Sequence, residues 1–179
     1  ARTPLQWQRA QDYIHHWEQW GYGAEHYALL SAGEAKERAQ ATNLFGATYT
    51  PHVAAINPAK LVRLLANLVE KRGATIYEHT AATKIEPGKV FTTGGVISAR
   101  YVVRATEGYT KTLEGQKRKI VPIYSLMMAT EPLSAQVWDQ IGLAQRETFG
   151  DFRNLIIYGQ RTADNRFAFG GRGAPYHFG

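Results

Sequence analysis

The sequence predicts a mixed α/β (α+β) fold that contains two sheets. An amphipathic helix followed by a glycine and an apolar segment, at residues 57–80, is typical of half a β-α-β unit. Glycine-containing turns at Pro87-Gly88 and Gly94-Gly95 separate short β-branched segments, as in antiparallel hairpins. The 179 residues suffice for one full core or two smaller lobes.

The first helix is predicted to begin at Thr3-Pro4. Threonine can cap a helix, and proline is tolerated at the first helical position. One apolar stripe follows at helical spacing, formed by Ala10, Tyr13, Ile14 and Trp17. Gly21 and Gly23 are predicted to end this helix.

Two elements are predicted before residue 57. Ser31 and Glu34 have the spacing of a capping box, which predicts a short second helix. Residues 47–56 are rich in β-branched and aromatic side chains, which predicts a strand.

The clearest helix signal begins at Asn57-Pro58, where asparagine can cap and proline can occupy the first position. Lys71 and Arg72 suit the negative end of the helix dipole, and Gly73 suits a left-handed stop. Residues 74–80 then predict a strand. The expected buried face of the helix is Leu61, Leu64, Leu65 and Leu68.

The second half of the chain predicts mostly strands. Tyr101-Val102-Val103 predicts a strand that ends before Glu107-Gly108, and residues 120–130 predict an edge strand interrupted by Pro122. Residues 154–159 and 166–170 predict a hairpin closed through residues 163–165, and Trp138 lies in a short helical stretch.

Composition excludes several classes of function. The net charge of +6 is spread along the chain, and the one tight cluster, Lys117-Arg118-Lys119, suits either a solvated loop or a phosphate contact. Because no nucleic-acid-binding motif accompanies this charge, no nucleic-acid partner is expected.

The chain has no cysteine, which excludes disulfides and thiolate chemistry and suits a cytoplasmic location. No apolar run approaches the ~18 residues of a membrane span, so no membrane partner is expected.

Dinucleotide and metal motifs are absent from the sequence. Gly21-Tyr22-Gly23 lacks a preceding strand, and His26 stands where the third glycine of G-x-G-x-x-G belongs. His15 and His16 are adjacent on a helix and cannot form the paired ligands of a zinc protease, so no metal is expected. His52, which follows Pro51 beside Tyr49, is the histidine most suited to a site.

Paired glycines and an arginine at Gly170-Gly171-Arg172 end a predicted strand. Such glycines permit close approach of another backbone or of a ligand. Arg172 suits either a fork to a carboxylate or phosphate, or an ordinary loop position.

Three stretches together resemble the flavin-dependent oxidoreductases of the D-amino-acid oxidase and glycine oxidase (DAO) family. The first runs from Asn57-Pro58-Ala59-Lys60-Leu61 through Gly73-Ala74-Thr75-Ile76-Tyr77-Glu78 to Thr83-Lys84-Ile85. The second is Tyr101-Val102-Val103-Arg104-Ala105-Thr106-Glu107-Gly108-Tyr109. The third is Arg161-Thr162-Ala163-Asp164-Asn165-Arg166-Phe167-Ala168-Phe169-Gly170-Gly171. In order and spacing they cover most of the chain from about residue 47 onward.

The resemblance implies a partial Rossmann-like flavin lobe at residues 57–112. It also implies a mostly antiparallel substrate-domain sheet with helices, contributed by residues 1–56 and 113–179. The cofactor that the resemblance implies is FAD. Thr83 and Lys84 would lie on a strand near its adenine end, and Gly170-Gly171 where the flavin approaches. The turn near the pyrophosphate would consist of Ala105, Thr106, Glu107 and Gly108.

The sequence departs from the family pattern in two respects. Glu107 stands where relatives usually have glycine, and a carboxylate beside a diphosphate costs about 1 kcal/mol at 4 Å in water. The family's G-x-G-x-x-G and closing segments are missing, so the sequence reads as an internal fragment. We therefore expect the isolated chain to bind FAD weakly or not at all.

The resemblance implies that the intact protein oxidises an amine or amino acid by hydride transfer to FAD. The alternative is a non-catalytic ligand-binding or interaction module. Tyrosines and a histidine could bound a substrate pocket, and arginines could pair with a carboxylate; packing roles are equally open for all of them. The candidates are Tyr49, His52, Tyr124, Tyr158, Arg161 and Arg172.

Overall fold

The computed structural model describes residues 1–173. The helices are α1 (Pro4–Gln19), α2 (Ala32–Arg38), α3 (Pro58–Lys71) and α4 (Ala135–Ile141). The strands are β1 (Ala28–Ser31), β2 (Gly46–Tyr49), β3 (Ala82–Glu86), β4 (Lys89–Thr92), β5 (Gly95–Ser98), β6 (Ser125–Ala129), β7 (Thr148–Gly150), β8 (Ile157–Arg161) and β9 (Phe167–Arg172). A 3-10 helix spans Glu107–Thr112.

The chain divides into two compact units. Unit 1 combines residues 1–56 with those from 124 onward, and unit 2 is residues 57–123. Every paired strand in the described part is antiparallel. This mixture of helices and antiparallel sheets confirms the predicted α/β (α+β) class, but the described strands form three sheets rather than the predicted two.

Helix α1 opens unit 1 as the sequence predicts. The Thr3 hydroxyl oxygen accepts a hydrogen bond from the Gln6 N–H at 3.2 Å, and Gly21 follows the helix with a left-handed φ of 82°. Ala10 and Ile14 are buried on the inner face, whereas Tyr13 remains 37% exposed. The ring of Trp17 stacks on Tyr27 at 4.6 Å between centroids.

Helix α2 carries the predicted capping box with both of its bonds. The Ser31 hydroxyl accepts from the Glu34 N–H at 3.3 Å, and the Glu34 carboxylate accepts from the Ser31 N–H at 2.8 Å. These bonds lower the pKa of Glu34 below its ordinary value, because they stabilise the ionised carboxylate.

Strands β1 and β2 form a two-stranded sheet, of which the sequence predicts only β2. The prediction of a strand over residues 47–56 is wrong beyond Tyr49. Pro51 has no N–H to donate to a ladder, and the His52 N–H is directed to the Thr50 hydroxyl at 3.2 Å. The segment after β2 is therefore a loop.

The second sheet of unit 1 has four strands in the order β6-β9-β8-β7. The hairpin of β8 and β9 is confirmed, and β6 lies at the edge as predicted. The strand begins at Ser125, later than the predicted 120, so that Pro122 stays outside the ladder. Trp138 of α4 is 2% exposed and donates from Nε1 to the Asn165 carbonyl oxygen at 3.0 Å, which fixes α4 against the hairpin turn.

Unit 2 contains a three-stranded sheet in the order β3-β4-β5. Both predicted turns are present, with left-handed φ values of 75° at Gly88 and 139° at Gly95. Only glycine adopts the second of these readily, which explains how the four residues of β5 pair directly with β4.

Helix α3 has the predicted ends but not the predicted burial. Asn57 caps it by accepting from the Lys60 N–H at 3.0 Å, and Gly73 has a φ of 93°. The predicted buried leucines are instead 43–66% exposed, because no element described within unit 2 covers them. They are Leu61, Leu64, Leu65 and Leu68.

The predicted strands at residues 74–80 and 101–103 are also wrong. Neither segment pairs with any described part of the chain, and a strand requires a hydrogen-bonding partner. The local β propensity of these residues is therefore not realised in unit 2.

Candidate functional site

Two predicted cofactor contacts, Thr83 and Lys84, lie on β3 of unit 2. The Thr83 hydroxyl donates to the Phe91 carbonyl oxygen at 3.3 Å. The Lys84 ammonium lies 3.1 Å from Glu114 and 3.2 Å from Glu86. Hydrogen bonding to Glu114 first, and then to Glu86, raises the pKa of Lys84. Both side chains thus have partners within their own unit.

The predicted pyrophosphate turn leads into the 3-10 helix. It consists of Ala105, Thr106, Glu107 and Gly108, and the Thr106 and Thr110 hydroxyls are 2.7 Å apart. Glu107 has a left-handed φ of 41°, a conformation that glycine adopts without strain and that costs other residues about 1–2 kcal/mol. The backbone here therefore keeps a conformation suited to glycine although the residue is glutamate.

This turn and β3 belong to one locally connected structure. The Glu114 N–H, just beyond the 3-10 helix, donates to the Thr83 carbonyl oxygen at 3.0 Å, and its carboxylate pairs with Lys84. The cofactor candidates of unit 2 are thus held together by Glu114, which the sequence did not single out.

The turn and Lys84 differ in how open they are to a ligand. A Cβ at Gly108 would meet nothing within 4 Å, so a ligand can approach the backbone closely there. Lys84 fits less well, since two carboxylates already neutralise its charge. The exposed Glu107 carboxylate also opposes an anion by Coulomb repulsion.

The remaining cofactor candidates, Gly170 and Gly171, lie on β9 of unit 1. Gly170 stands opposite Tyr158 on one side and Met127 on the other, and a Cβ at Gly170 would overlap the Tyr158 ring. The close approach that this glycine permits is made by Tyr158. At Gly171 the nearest atom to a Cβ would be the Ile156 carbonyl oxygen at 3.6 Å, which is ordinary contact.

Arg161, a predicted substrate residue, is engaged at the β8–β9 turn. Its Nε and Nη2 donate to the Asn165 side-chain oxygen at 3.0 and 2.7 Å, and its guanidinium lies 4.8 Å from the Trp138 ring centre. At the same turn, the Thr162 hydroxyl and then Arg166 lower the pKa of Asp164. Polar contacts among these side chains thus fix the turn.

Arg172 and Tyr124 lie at the other end of β9. The exposed Arg172 pairs with Ser125 in the ladder, and the Gly173 N–H donates to the Tyr124 carbonyl oxygen at 3.4 Å. Arg161 pairs with Phe167 across the β8–β9 ladder. Phe167 and Arg172 are five residues apart along β9, a distance of about 17 Å. The two arginines therefore do not converge on one ligand group.

Tyr49 and His52 lie on β2 and on the loop that follows it. The Arg38 guanidinium lies 3.9 Å from the Tyr49 ring centre. The His52 Nε2 and the His26 Nδ1 are 2.8 Å apart, so the two imidazoles share a hydrogen bond. In residues 1–173, no three histidine or acidic side chains are grouped as a metal site would require.

A cavity of about 440 Å³ lies beside Tyr49, entirely within unit 1. A second cavity, of about 360 Å³, shares Tyr49, Thr50 and Thr148 with it. Of the predicted site residues, only Tyr49 lines the larger cavity. It is lined by Tyr49, Thr50, Pro51, Val53, Ala54, Ala55, Gln145, Arg146, Glu147 and Thr148.

The sequence interpretation missed Arg146. It follows α4 in a short irregular segment, where no periodicity or motif distinguishes a functional arginine from a solvated one. The proximity of residues 145–148 to the loop after β2 arises only on folding.

The described helices include none that is both long enough and apolar enough to cross a membrane.

Comparison with known proteins places these features in a family. The family model for DAO, FAD dependent oxidoreductase, matches residues 1–179. The chain is 35% identical over 161 residues to the probable oxidoreductase OrdL of Rhizobium meliloti (strain 1021), covering 86% of this chain and 36% of the relative. It is 28% identical over 160 residues to the gamma-glutamylputrescine oxidoreductase of Escherichia coli (strain K12), covering 87% of this chain and 37% of the relative.

A solved structure supports the same relationship. Glycine oxidase from Geobacillus kaustophilus superposes with a TM-score of 0.65 at 26% identity, over 96% of this chain and 46% of that one. The chain thus spans less than half the length of these relatives. The match over the whole sequence shows that the chain belongs to the DAO family of FAD-dependent oxidoreductases.

Proposed function

We propose that the whole protein oxidises an amine or an amino acid by hydride transfer to FAD. The observation that carries the proposal is the family match over residues 1–179. Further support comes from the names of two similar proteins, which specify gamma-glutamylputrescine in one and glycine in the other. Both compounds contain an amino group.

FAD, when held by its contacts on this chain and the rest of the protein, would supply the hydride acceptor for oxidation at the carbon that bears the amine. Water would then hydrolyse the imine to a carbonyl compound with release of ammonia or an amine. The protein's part is to position the substrate and to exclude water. In unit 1, we assign the walls of the substrate pocket to Tyr49, His52, Tyr124 and Tyr158.

The arginine that pairs with a substrate carboxylate is proposed to be Arg172 or Arg161. The structure favours Arg172, because Arg161 already donates twice to Asn165 and lies over Trp138. Arg172 is exposed at the end of β9. Its guanidinium has no hydrogen-bond or ion-pair partner in the described part of the chain, so it can give both members of its fork to a carboxylate.

The FAD contacts are proposed to be Thr83, Lys84, the turn from Ala105 to Gly108, and the pair Gly170-Gly171. The turn has the strongest support, since its backbone is open at Gly108. The side chains of Thr83 and Lys84 are engaged internally, so we expect their contribution to come mainly from the backbone.

Purified full-length protein tests the proposal directly. We expect it to carry FAD, and we expect its flavin absorbance to bleach anaerobically when a suitable primary amine or amino acid is added. A panel should include putrescine derivatives, glycine and proline, with a simple alcohol as a control. Bound flavin that no amine or amino acid reduces would contradict the proposed reaction. Absence of FAD would instead favour a non-catalytic binding module.

A further inference from the structure

We propose that the 440 Å³ cavity of unit 1 binds a small organic carboxylate through the guanidinium of Arg146. The cavity has the volume of an ordinary small-molecule site, for which about 300–1,000 Å³ is usual. It lies between the loop after β2 and the segment that leads into β7. The site involves no redox step.

Local bonds hold Arg146 in place. Its N–H donates to the Leu143 carbonyl oxygen at 2.9 Å, and its backbone has a left-handed φ of 58°. Its Nε donates to the Arg161 carbonyl oxygen at 3.4 Å. The base of the guanidinium is therefore anchored, which reduces the entropy lost when a ligand binds.

The outer nitrogens of Arg146 are available to a ligand. Neither Nη has a hydrogen-bond or carboxylate partner among residues 1–173. The nearby Arg161 and Arg166, by contrast, give their outer nitrogens to oxygen atoms of Asn165 and Thr130. Arg146, which lines the cavity, thus has two adjacent donor nitrogens without a partner in this part of the chain.

Glu147 also lines the cavity, but its charge is already compensated. The Arg38 guanidinium lies 4.0 Å from one carboxylate oxygen, and the Gln145 N–H donates to the other at 3.1 Å. Arg38 is held by its position over the Tyr49 ring. The pair of Arg38 and Glu147 is formally neutral, so the charge of Arg146 remains in excess.

The chemistry of the remaining lining residues indicates which kind of anion fits the cavity. Three residues that carry hydroxyl groups, Tyr49, Thr50 and Thr148, line the cavity together with Arg146. The Thr50 oxygen accepts from the His52 N–H, so its own hydrogen remains available for donation. A planar carboxylate matches the guanidinium fork.

Apolar residues also line the cavity, namely Pro51, Val53, Ala54 and Ala55. Their side chains suit an alkyl chain and offer an inorganic ion no hydrogen bonds. A short-chain carboxylate has both a group for Arg146 and an alkyl part for these residues. The guanidinium of Arg146 would repel the ammonium group of an alkylamine, because both are positively charged.

Titration calorimetry of the full-length protein with butanoate, butylamine and inorganic phosphate tests this proposal. We expect butanoate to bind, phosphate to bind at least tenfold more weakly, and any binding of butylamine to be the same in the native protein and in Arg146→Gln. Arg146→Gln should weaken butanoate binding about tenfold or more. Arg63→Gln, which removes an equal charge from α3 of unit 2, should leave it unchanged.

Arg146→Lys provides a second measurement that does not depend on how well the glutamine variant folds. It keeps the charge but not the fork, so butanoate should bind more weakly than to the native protein. Equal butanoate affinity in the native protein and in the two variants, Arg146→Gln and Arg146→Lys, would overturn the proposal. So would phosphate binding as tight as butanoate. Amine oxidation is not measured in these titrations, so their failure would leave the proposed oxidase activity unaffected.

Discussion

At the scale of single residues, two glycines share a left-handed backbone but differ in their surroundings. Gly142 has a φ of 87°, and a Cβ there would lie 2.6 Å from the Arg38 carbonyl oxygen. Gly21 has a φ of 82° with nothing within 4 Å of its Cβ position. Gly142 also forms a β-bridge with Ala39, so its close approach joins the ends of α2 and α4.

We expect Gly142→Ala to destabilise the protein by about 3 kcal/mol, because it combines backbone strain with a backbone clash. Gly21→Ala should cost about 1–2 kcal/mol, from strain alone. Urea denaturation of the two full-length variants, followed by tryptophan fluorescence, measures the difference. Equal shifts in the midpoint would show that the space around Gly142 relaxes at little cost.

The backbone of Glu107 shows a related effect at a candidate cofactor turn. Its φ of 41° keeps the left-handed conformation that suits glycine. From the sequence alone, a glutamate at this position departs from the family pattern, which has glycine there. The structure shows that Glu107 adopts a backbone conformation suited to glycine, so the glutamate adds a carboxylate to a turn that glycine would form without strain.

At the scale of elements, α4 stabilises the hairpin that β8 and β9 form. Trp138 is 2% exposed, and its ring lies 6.0 Å from Phe167 of β9 between centroids. Its indole N–H donates to the Asn165 carbonyl oxygen, and the Arg161 guanidinium lies 4.8 Å from its ring centre. One side chain thus links a helix, a strand and a turn.

Trp138→Ala should therefore destabilise the full-length protein by about 3–5 kcal/mol, the usual cost of removing a buried indole. Val137→Ala on the same helix is the matched control; since Val137 is 37% exposed, we expect a change below about 1 kcal/mol. Thermal unfolding monitored by circular dichroism separates the two. A small loss in the Trp138 variant would mean that α4 does not hold the hairpin.

At the scale of the whole molecule, burial differs between the two units. The buried hydrophobic residues of unit 1 include Ala10, Ile14, Trp138 and Leu143, whereas Leu113 is the one described in unit 2. The apolar face of α3 is exposed. Unit 2 carries most of the candidate FAD contacts but no G-x-G-x-x-G, the motif that directs a helix N-terminus at the pyrophosphate.

We therefore expect residues 1–179, produced alone, to bind FAD weakly or not at all and to show no amine oxidation. The full-length protein, purified in parallel, is the positive control. Flavin content is measured from the visible absorbance after gel filtration with added FAD. A yellow 1–179 chain with one flavin per molecule would refute this expectation.

Local sequence determined the elements that need no distant partner. The capping box of Ser31 and Glu34, the Asn57 cap and the two turns of unit 2 all follow from bonds within a few residues. The family resemblance added the division into a flavin lobe and a substrate domain, and the cofactor, because its motifs preserve order and spacing across the chain.

Tertiary structure decided what depends on distant partners. Residues 74–80 have strand propensity but no strand to pair with among residues 1–173, and the leucines of α3 form an apolar stripe that nothing in unit 2 buries. Arg161 looks like a ligand-binding arginine until its turn supplies Asn165 and Trp138 as partners. Arg146 carries no sequence signal, because its cavity exists only where two segments about 90 residues apart meet on folding.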